Sequence, residues 1–319
     1  MNQISSSSRA GLGALLMLTS SLAFAGTNVL QSVLPWTYGM SSTGMAFWQY
    51  VIATLFALPL IARIGVSKLR TQHPLLHEIR AFVSALGVHV FVYGFAAGVP
   101  IWQMVTLLAT GPLFVIAGSL LFLCERASPT RLAAALLGFV GAIIVSGVGQ
   151  EGLGVHTLVP ILAAALWATT DILTKALSRD ESPETLTLSL LVLVTPNHLL
   201  ILVAVNLIGW LAPAAMPQGV VSGFPFQLPS GDGIWLLLLL GALTALAQYL
   251  LTFAYKVADA TYLQPFGDLK VPLSALLGWI FVSQAPNLSL FIPGALLVLA
   301  GSLLIYWREG GSRPRLQAA

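Results

Sequence analysis

The sequence predicts an all-α integral membrane protein, with ten transmembrane helices arranged as two inverted five-helix repeats, residues 1–150 and 151–319. Three observations predict it. Over 319 residues, 57% are hydrophobic, only 8% are charged, and the mean hydropathy is +0.89. A soluble domain carries about 25% charged residues, so this chain lacks the polar surface to solvate a globule. Next, thirteen of the fourteen Lys and Arg residues fall in or beside one alternate set of gaps between apolar runs. Finally, short stretches of the first half recur in the second.

A spanning helix needs about 20 apolar residues. On that scale the segments lie near 11–31, 44–62, 81–99, 101–123, 131–149, 157–177, 186–211, 233–254, 261–282 and 289–307. Gly, Pro and Ser mark the turns between them. Ser128-Pro129 ahead of the fifth segment reads as an N-cap followed by proline at the first helical position. Arg9, the apolar run from Gly11, and Ala23-Phe24-Ala25 before Gly26 have the form of a cleavable leader. The repeat equates this segment with an internal one, so we expect a retained helix.

The cations orient the spans. Arg9 precedes the first; Arg63, Lys68, Arg70 and Arg80 separate the second and third; Arg126 and Arg131 separate the fourth and fifth. Lys175 and Arg179 follow the sixth, Lys256 follows the eighth, and Arg308, Arg313 and Arg315 close the chain. The intervening gaps hold none. Cytoplasmic loops are enriched in Lys and Arg, so both termini are expected in the cytoplasm of a bacterial inner membrane. Lys68 and Arg179 should face inward, Gln150 and Ser230 outward. Lys270 is the exception, a cation within the membrane.

Leu22 to Leu30 aligns without gaps on Ala165 to Leu173, with Phe24 opposite Trp167 and Asn28 opposite Asp171. Phe122 to Glu125 answers Phe281 to Gln284, and Gly141 answers Gly301. Five spans per half force opposite orientations. Such repeats place a solute site near the midplane between the halves.

Polar groups within the spans are the candidate site. At 1.5 Å per residue, Lys270 lies about 15 Å into the ninth span, near the midplane. Asp268 precedes it, and Asp171 and Lys175 sit four residues apart in the sixth span. Charges facing lipid would each cost about 2.5–3.5 kcal/mol, so these four should face the bundle interior. Asp171 and Lys175 are spaced to pair on one helix face. Asp268 and Lys270 point apart on a regular helix unless Gly267, between Pro265 and Pro272, breaks it. Asp171 and Asp268 are proton-coupling candidates, and Lys270 is expected to bind an anionic group of the solute. Trp167, Gln248, Tyr262 and His89 complete the substrate-binding candidates. Pro196-Asn197-His198 is expected to interrupt the seventh span. Gly138, Gly141, Gly294 and Gly301 are expected to permit close helix packing.

Tyr93, Gly111-Pro112-Leu113-Phe114, Glu125-Arg126 and Gly141 in the first half resemble the EamA branch of the drug/metabolite transporter superfamily. The second half resembles it more closely, through Gln248, Ala254-Tyr255, Ala258, Pro265-Phe266, Pro272, Leu276 to Trp279, Pro286 and Gly294. Two departures stand out. Gln284 replaces the acidic residue that usually ends helix nine, and Gly267-Asp268 stands where many relatives have an acidic residue followed by Tyr. The resemblance implies a secondary transporter of small organic metabolites working by alternating access.

The cavity groups suit an amino acid or derivative; a nucleoside-like, vitamin or cationic solute is the alternative. An intramembrane enzyme would need a catalytic constellation, and the chain has no HExxH, no GxSxG and no phosphate-binding GxxxxGK[ST] loop. A signalling receptor fits ten spans with a repeat poorly. A single cysteine, Cys124, excludes a paired-cysteine metal motif. No cofactor, metal or nucleic acid is expected; the partners are a small-molecule metabolite and membrane lipid.

Overall fold

The computed structural model describes residues 6–60, 65, 71–96, 104, 107–108, 110–125, 128–146, 158–215, 226–283 and 287–309. Among them are α1 (Ser6–Tyr38), α2 (Ser42–Ala57), α3 (Pro74–Ala96), α4 (Gly111–Phe122), α5 (Pro129–Ser146) and α6 (Leu158–Leu177). The second half holds α7 (Pro183–Leu211), α8 (Gly233–Val257), α9 (Ala260–Gly267), α10 (Lys270–Val282) and α11 (Leu288–Glu309). No strand occurs among the described residues.

Local chemistry sets several boundaries. Ser41 Oγ accepts from the Gly44 amide at the start of α2, Ser128 Oγ from Arg131 at α5, and Ser182 Oγ from Thr185 at α7. Each satisfies an amide that lacks a partner in the first helical turn. Pro129 and Pro183 occupy the first helical position of α5 and α7, where a missing N–H costs nothing. After α4 and α10 the backbone turns left-handed at Cys124 (φ 54°) and Ser283 (φ 56°), the two non-glycine residues with positive φ among those described. The sequence repeat equates these two positions.

Seven helical stretches, counting α9 with α10 as one, are long and apolar enough to cross a membrane; α4 and α5 are shorter apolar helices. Leu121, Phe122, Leu200, Leu211, Ile280 and Phe281 project outward, as lipid-facing side chains do. Trp36, Trp210, Trp235 and Trp307 lie exposed near helix ends, the position of an aromatic interfacial belt. The chain is a multi-pass membrane protein.

Helix α1 packs on α8 and α10, while α6 packs on α3 and α4. Helix α2 meets α7 and α8, α3 meets α7, and α5 pairs with α11. The α5–α11 contact brings backbones together: a methyl on Gly141 would meet the Gly294 carbonyl at 2.6 Å, and one on Gly301 would meet the Ala134 carbonyl at 2.6 Å. That is the close approach expected of these small residues.

Three expectations need correction. Helix α3 begins at Pro74 rather than near 81, so Arg80 is inside a helix and fully buried. Its guanidinium donates to the Leu186 carbonyl (2.7 Å), Ser189 Oγ (3.0 Å) and Thr174 Oγ1 (3.3 Å), which is why it tolerates that depth. Helix α7 runs unbroken through Pro196, with Asn197 Nδ2 donating to the Leu193 carbonyl at 2.9 Å. Asp171 and Lys175 do not pair; Lys175 reaches instead to the end of α8, donating to the carbonyls of Tyr255 (3.1 Å) and Ala258 (2.7 Å). Those carbonyls lack helical donors, so they are the stronger attraction. Arg63, Lys68, Arg70, Arg126, Arg313, Arg315, Gln150 and Gln284 lie outside the described residues, as does most of the fourth segment before Gly111.

Candidate functional site

A central cavity, part of it open, is lined by residues from both 1–150 and 151–319. Helices α1, α2, α3 and α4 line it from the first half, and α6, α8, α9 and α10 from the second. Asn28 and Asp171, which the repeat equates, both reach it, as do Phe24 and Trp167.

Its most polar corner forms where α9 gives way to α10. Pro272 has no amide to offer the Asp268 carbonyl, and the Val271 amide bonds that carbonyl instead, at 3.0 Å. The tighter step takes from the Gly267 carbonyl its usual helical donor. Ser21 Oγ of α1 serves the carbonyls of Phe266 (3.0 Å) and Gly267 (3.4 Å), and Ser302 Oγ of α11 serves that of Pro265 (2.6 Å). Non-helical backbone survives at membrane depth only when so satisfied or when it lines a cavity. The break at Gly267 anticipated in the sequence is present. It places Lys270 at the first turn of α10, facing the cavity.

The charge of this lysine acts on two carboxylates, Asp171 and Asp268. Asp171 of α6 is held by the Tyr255 hydroxyl, which in turn accepts from Gln264 Nε2 at 3.4 Å. Asp268 is fully buried, and neither of its carboxylate oxygens has a hydrogen-bond partner among the described residues. Its carboxyl lies against Gly138 of α5, where a side-chain methyl would collide with Oδ2.

Amides and aromatic rings make up the rest of the wall. Gln31 Nε2 donates to Gln49 Oε1 (3.0 Å), and Gln49 Nε2 donates to Thr244 Oγ1 (2.9 Å). This chain ties α1, α2 and α8 together. Asn28 Nδ2 donates to Ser274 Oγ at 3.1 Å. Trp167 stands tilted against Phe91, ring centroids 5.2 Å apart, and packs over Gly87, where a methyl would strike its indole. Among the described residues Gln248 makes no side-chain hydrogen bond, so its amide is available to a solute.

Five of the seven expected site residues therefore meet in one cavity: Lys270, Asp268, Trp167, Gln248 and Asp171. Tyr262 and His89 do not reach it. Tyr262 is packed in the apolar cluster beside Phe266, and His89 bonds His198 of α7 at 3.0 Å between ring nitrogens. Depth points to His89 and aromatic character to Tyr262; helix rotation turns both away. Gln31, Thr244 and Tyr255 were missed, although a polar residue inside an apolar run was a signal available in each case.

Known proteins resemble this chain over nearly its full length. The family model described as the EamA-like transporter family matches residues 11–147. The riboflavin transporter of Rhizobium johnstonii is 44% identical over 97% of this chain and 96% of its own length. That of Brucella anthropi is 41% identical over 93% of this chain and 99% of its own. A crystal structure with TM-score 0.65 and 18% identity covers 94% of this chain and 95% of that one, a likeness of fold alone. These names indicate a membrane transporter of small metabolites rather than an enzyme. With identity this high over nearly the full length, the chain belongs to the EamA-like transporter family, within the drug/metabolite transporter superfamily.

Proposed function

We propose that this protein carries riboflavin across the bacterial inner membrane by alternating access, through the central cavity. The observation that carries the reading is full-length similarity, at 44% and 41%, to two proteins named riboflavin transporter. It favours a vitamin, the alternative in the sequence reading, over an amino acid. Riboflavin is a flat, uncharged tricycle with an imide edge and a polyhydroxyl chain. Trp167 and Phe24 present aromatic faces to the ring system, where stacking contributes about 1–3 kcal/mol per base-sized ring. Gln248 offers a donor beside an acceptor, matching an imide edge. The Gln31–Gln49–Thr244 chain is suited to the hydroxyls. In this reading Lys270 meets a ring carbonyl rather than the anionic group first expected.

Ten spans in two inverted repeats complete the proposal. Exchanging the halves preserves the most extensive helix contacts: α1 on α8 becomes α6 on α3, while α2–α7 and α5–α11 map onto themselves. The paired left-handed residues Cys124 and Ser283 support the same symmetry. Both termini are placed in the cytoplasm by the distribution of cations. In proteoliposomes, purified protein should admit riboflavin saturably and faster than empty vesicles, with unlabelled riboflavin competing. Entry no faster than the lipid leak, in protein that remains folded, would overturn the assignment.

A further inference from the structure

We propose that Asp268 is a proton-binding site and that one proton travels with each solute molecule. The inference rests on the riboflavin reading for the identity of the solute, but the site itself is argued from charge and geometry. Among the described residues, the ionisable cavity groups expected to carry charge are two carboxylates, Asp171 and Asp268, and one lysine, Lys270. With an uncharged solute bound, this set carries one negative charge too many for a closed compartment in the membrane. A single proton restores neutrality.

The geometry chooses which carboxylate takes it. Asp171 has the Tyr255 hydroxyl as a donor, whereas Asp268 is fully buried with both oxygens unpartnered among the described residues. A buried ionised carboxylate without hydrogen bonds is heavily penalised; a carboxylic acid is not. Among the described residues, helix α10 contributes Lys270, whose charge acts on Asp268. Helix α6 contributes Asp171, which feels the same lysine and is bonded by Tyr255 of α8. Helix α5 presents Gly138. The nearby hydroxyls of Ser21 on α1 and Ser302 on α11 are already committed to backbone carbonyls.

Position also sets the direction of coupling. The Asp268 carboxyl packs against Gly138 at the edge of the cavity that it also lines. An uncharged solute places no competing charge on that carboxyl, so solute and proton are held at once and move together rather than in exchange. The proton enters from water on one side, forms the O–H bond at Asp268, and leaves to water on the other when the helix break rearranges. Lys270 then pairs with whichever carboxylate is ionised.

Two measurements decide this. In proteoliposomes a one-unit pH gradient supplies a factor of about ten at one proton per solute. Riboflavin should therefore accumulate up to about tenfold on the alkaline side, and Asp268→Asn should lose that accumulation. Wild-type protein that shows counterflow but no pH-driven accumulation overturns the proposal, as does Asp268→Asn that still accumulates. The second measurement needs no solute: the infrared carboxylic acid carbonyl band of the wild-type protein at neutral pH, compared with Asp268→Asn and Gly138→Ala. Loss of the band in Asp268→Asn and its shift in Gly138→Ala support the site, even should riboflavin prove the wrong solute or the variant fail in counterflow. A spectrum that Asp268→Asn leaves unchanged overturns it.

Discussion

The end of the bundle where α6 and α8 finish and the cavity above it treat their cations in opposite ways. At that end Lys175, Lys256, Arg179 and Arg131 each reach a partner on another element. Lys175 of α6 serves the last carbonyls of α8, and Lys256 of α8 returns the contact to the Ser178 carbonyl after α6, at 2.5 Å. Arg179 donates to the Leu123 carbonyl at 3.0 Å. Arg131 reaches Asp259 (3.3 Å) and Thr261 (2.6 Å), while Glu125 accepts from the Thr261 amide at the start of α9 (3.2 Å). Positive groups at helix C-termini and a carboxylate at an N-terminus are stabilising arrangements. In the cavity, Lys270 makes no hydrogen bond among the described residues. The first set closes one end of the molecule; the second awaits a ligand.

The sharpest test of that contrast is Arg80→Ala. It removes two close charge-assisted hydrogen bonds from a fully buried site, each worth about 1.5–3 kcal/mol. Thermal unfolding in detergent should register a loss of about 3 kcal/mol or more. Unchanged stability would mean that this end of the bundle is not held by its cations.

Trp167→Ala comes next. Loss of ring stacking should weaken riboflavin binding by about 2 kcal/mol, or roughly thirtyfold, read by quenching of flavin fluorescence. Stability should fall less than in Arg80→Ala, since Trp167 is only half-buried.

Gln248→Leu should weaken binding by about 1 kcal/mol with little change in unfolding temperature. An effect on stability without one on binding would reassign this amide to packing. The smallest effect belongs to Lys256→Gln, whose helix-end contact is worth about 0.3–1 kcal/mol. Its riboflavin affinity should remain within twofold of wild type.

Orientation has its own check. In a Cys124→Ser background, Ser230→Cys should react with an impermeant maleimide on intact cells, and Asp180→Cys only after lysis. The reverse pattern would invert the topology.

Much of this was legible in the chain because membrane proteins restrict where polar residues go. Hydropathy located the helices, and the charge inventory separated Lys270 from the other cations. The matching of Asn28 with Asp171 anticipated two positions that face one cavity. What escaped was rotation and reach. His89, at mid-depth, and Tyr262, at the start of α9, turn into helix contacts. Lys175 has an acid one turn away, yet its long side chain finds unpaired carbonyls on another helix. Arg80 looked like a loop cation because hydropathy starts α3 too late; only the tertiary partners on α6 and α7 explain its burial. Sequence spacing describes one helix at a time, and these contacts belong to pairs.

The most direct test of the central claim is riboflavin counterflow in proteoliposomes, with Trp167→Ala and Lys256→Gln reconstituted in parallel at matched amounts of folded protein. At a riboflavin concentration below saturation, Trp167→Ala should exchange at least tenfold more slowly than wild type, and Lys256→Gln within twofold of it. Equal slowing of both variants, or a Trp167→Ala rate matching wild type, would contradict the account.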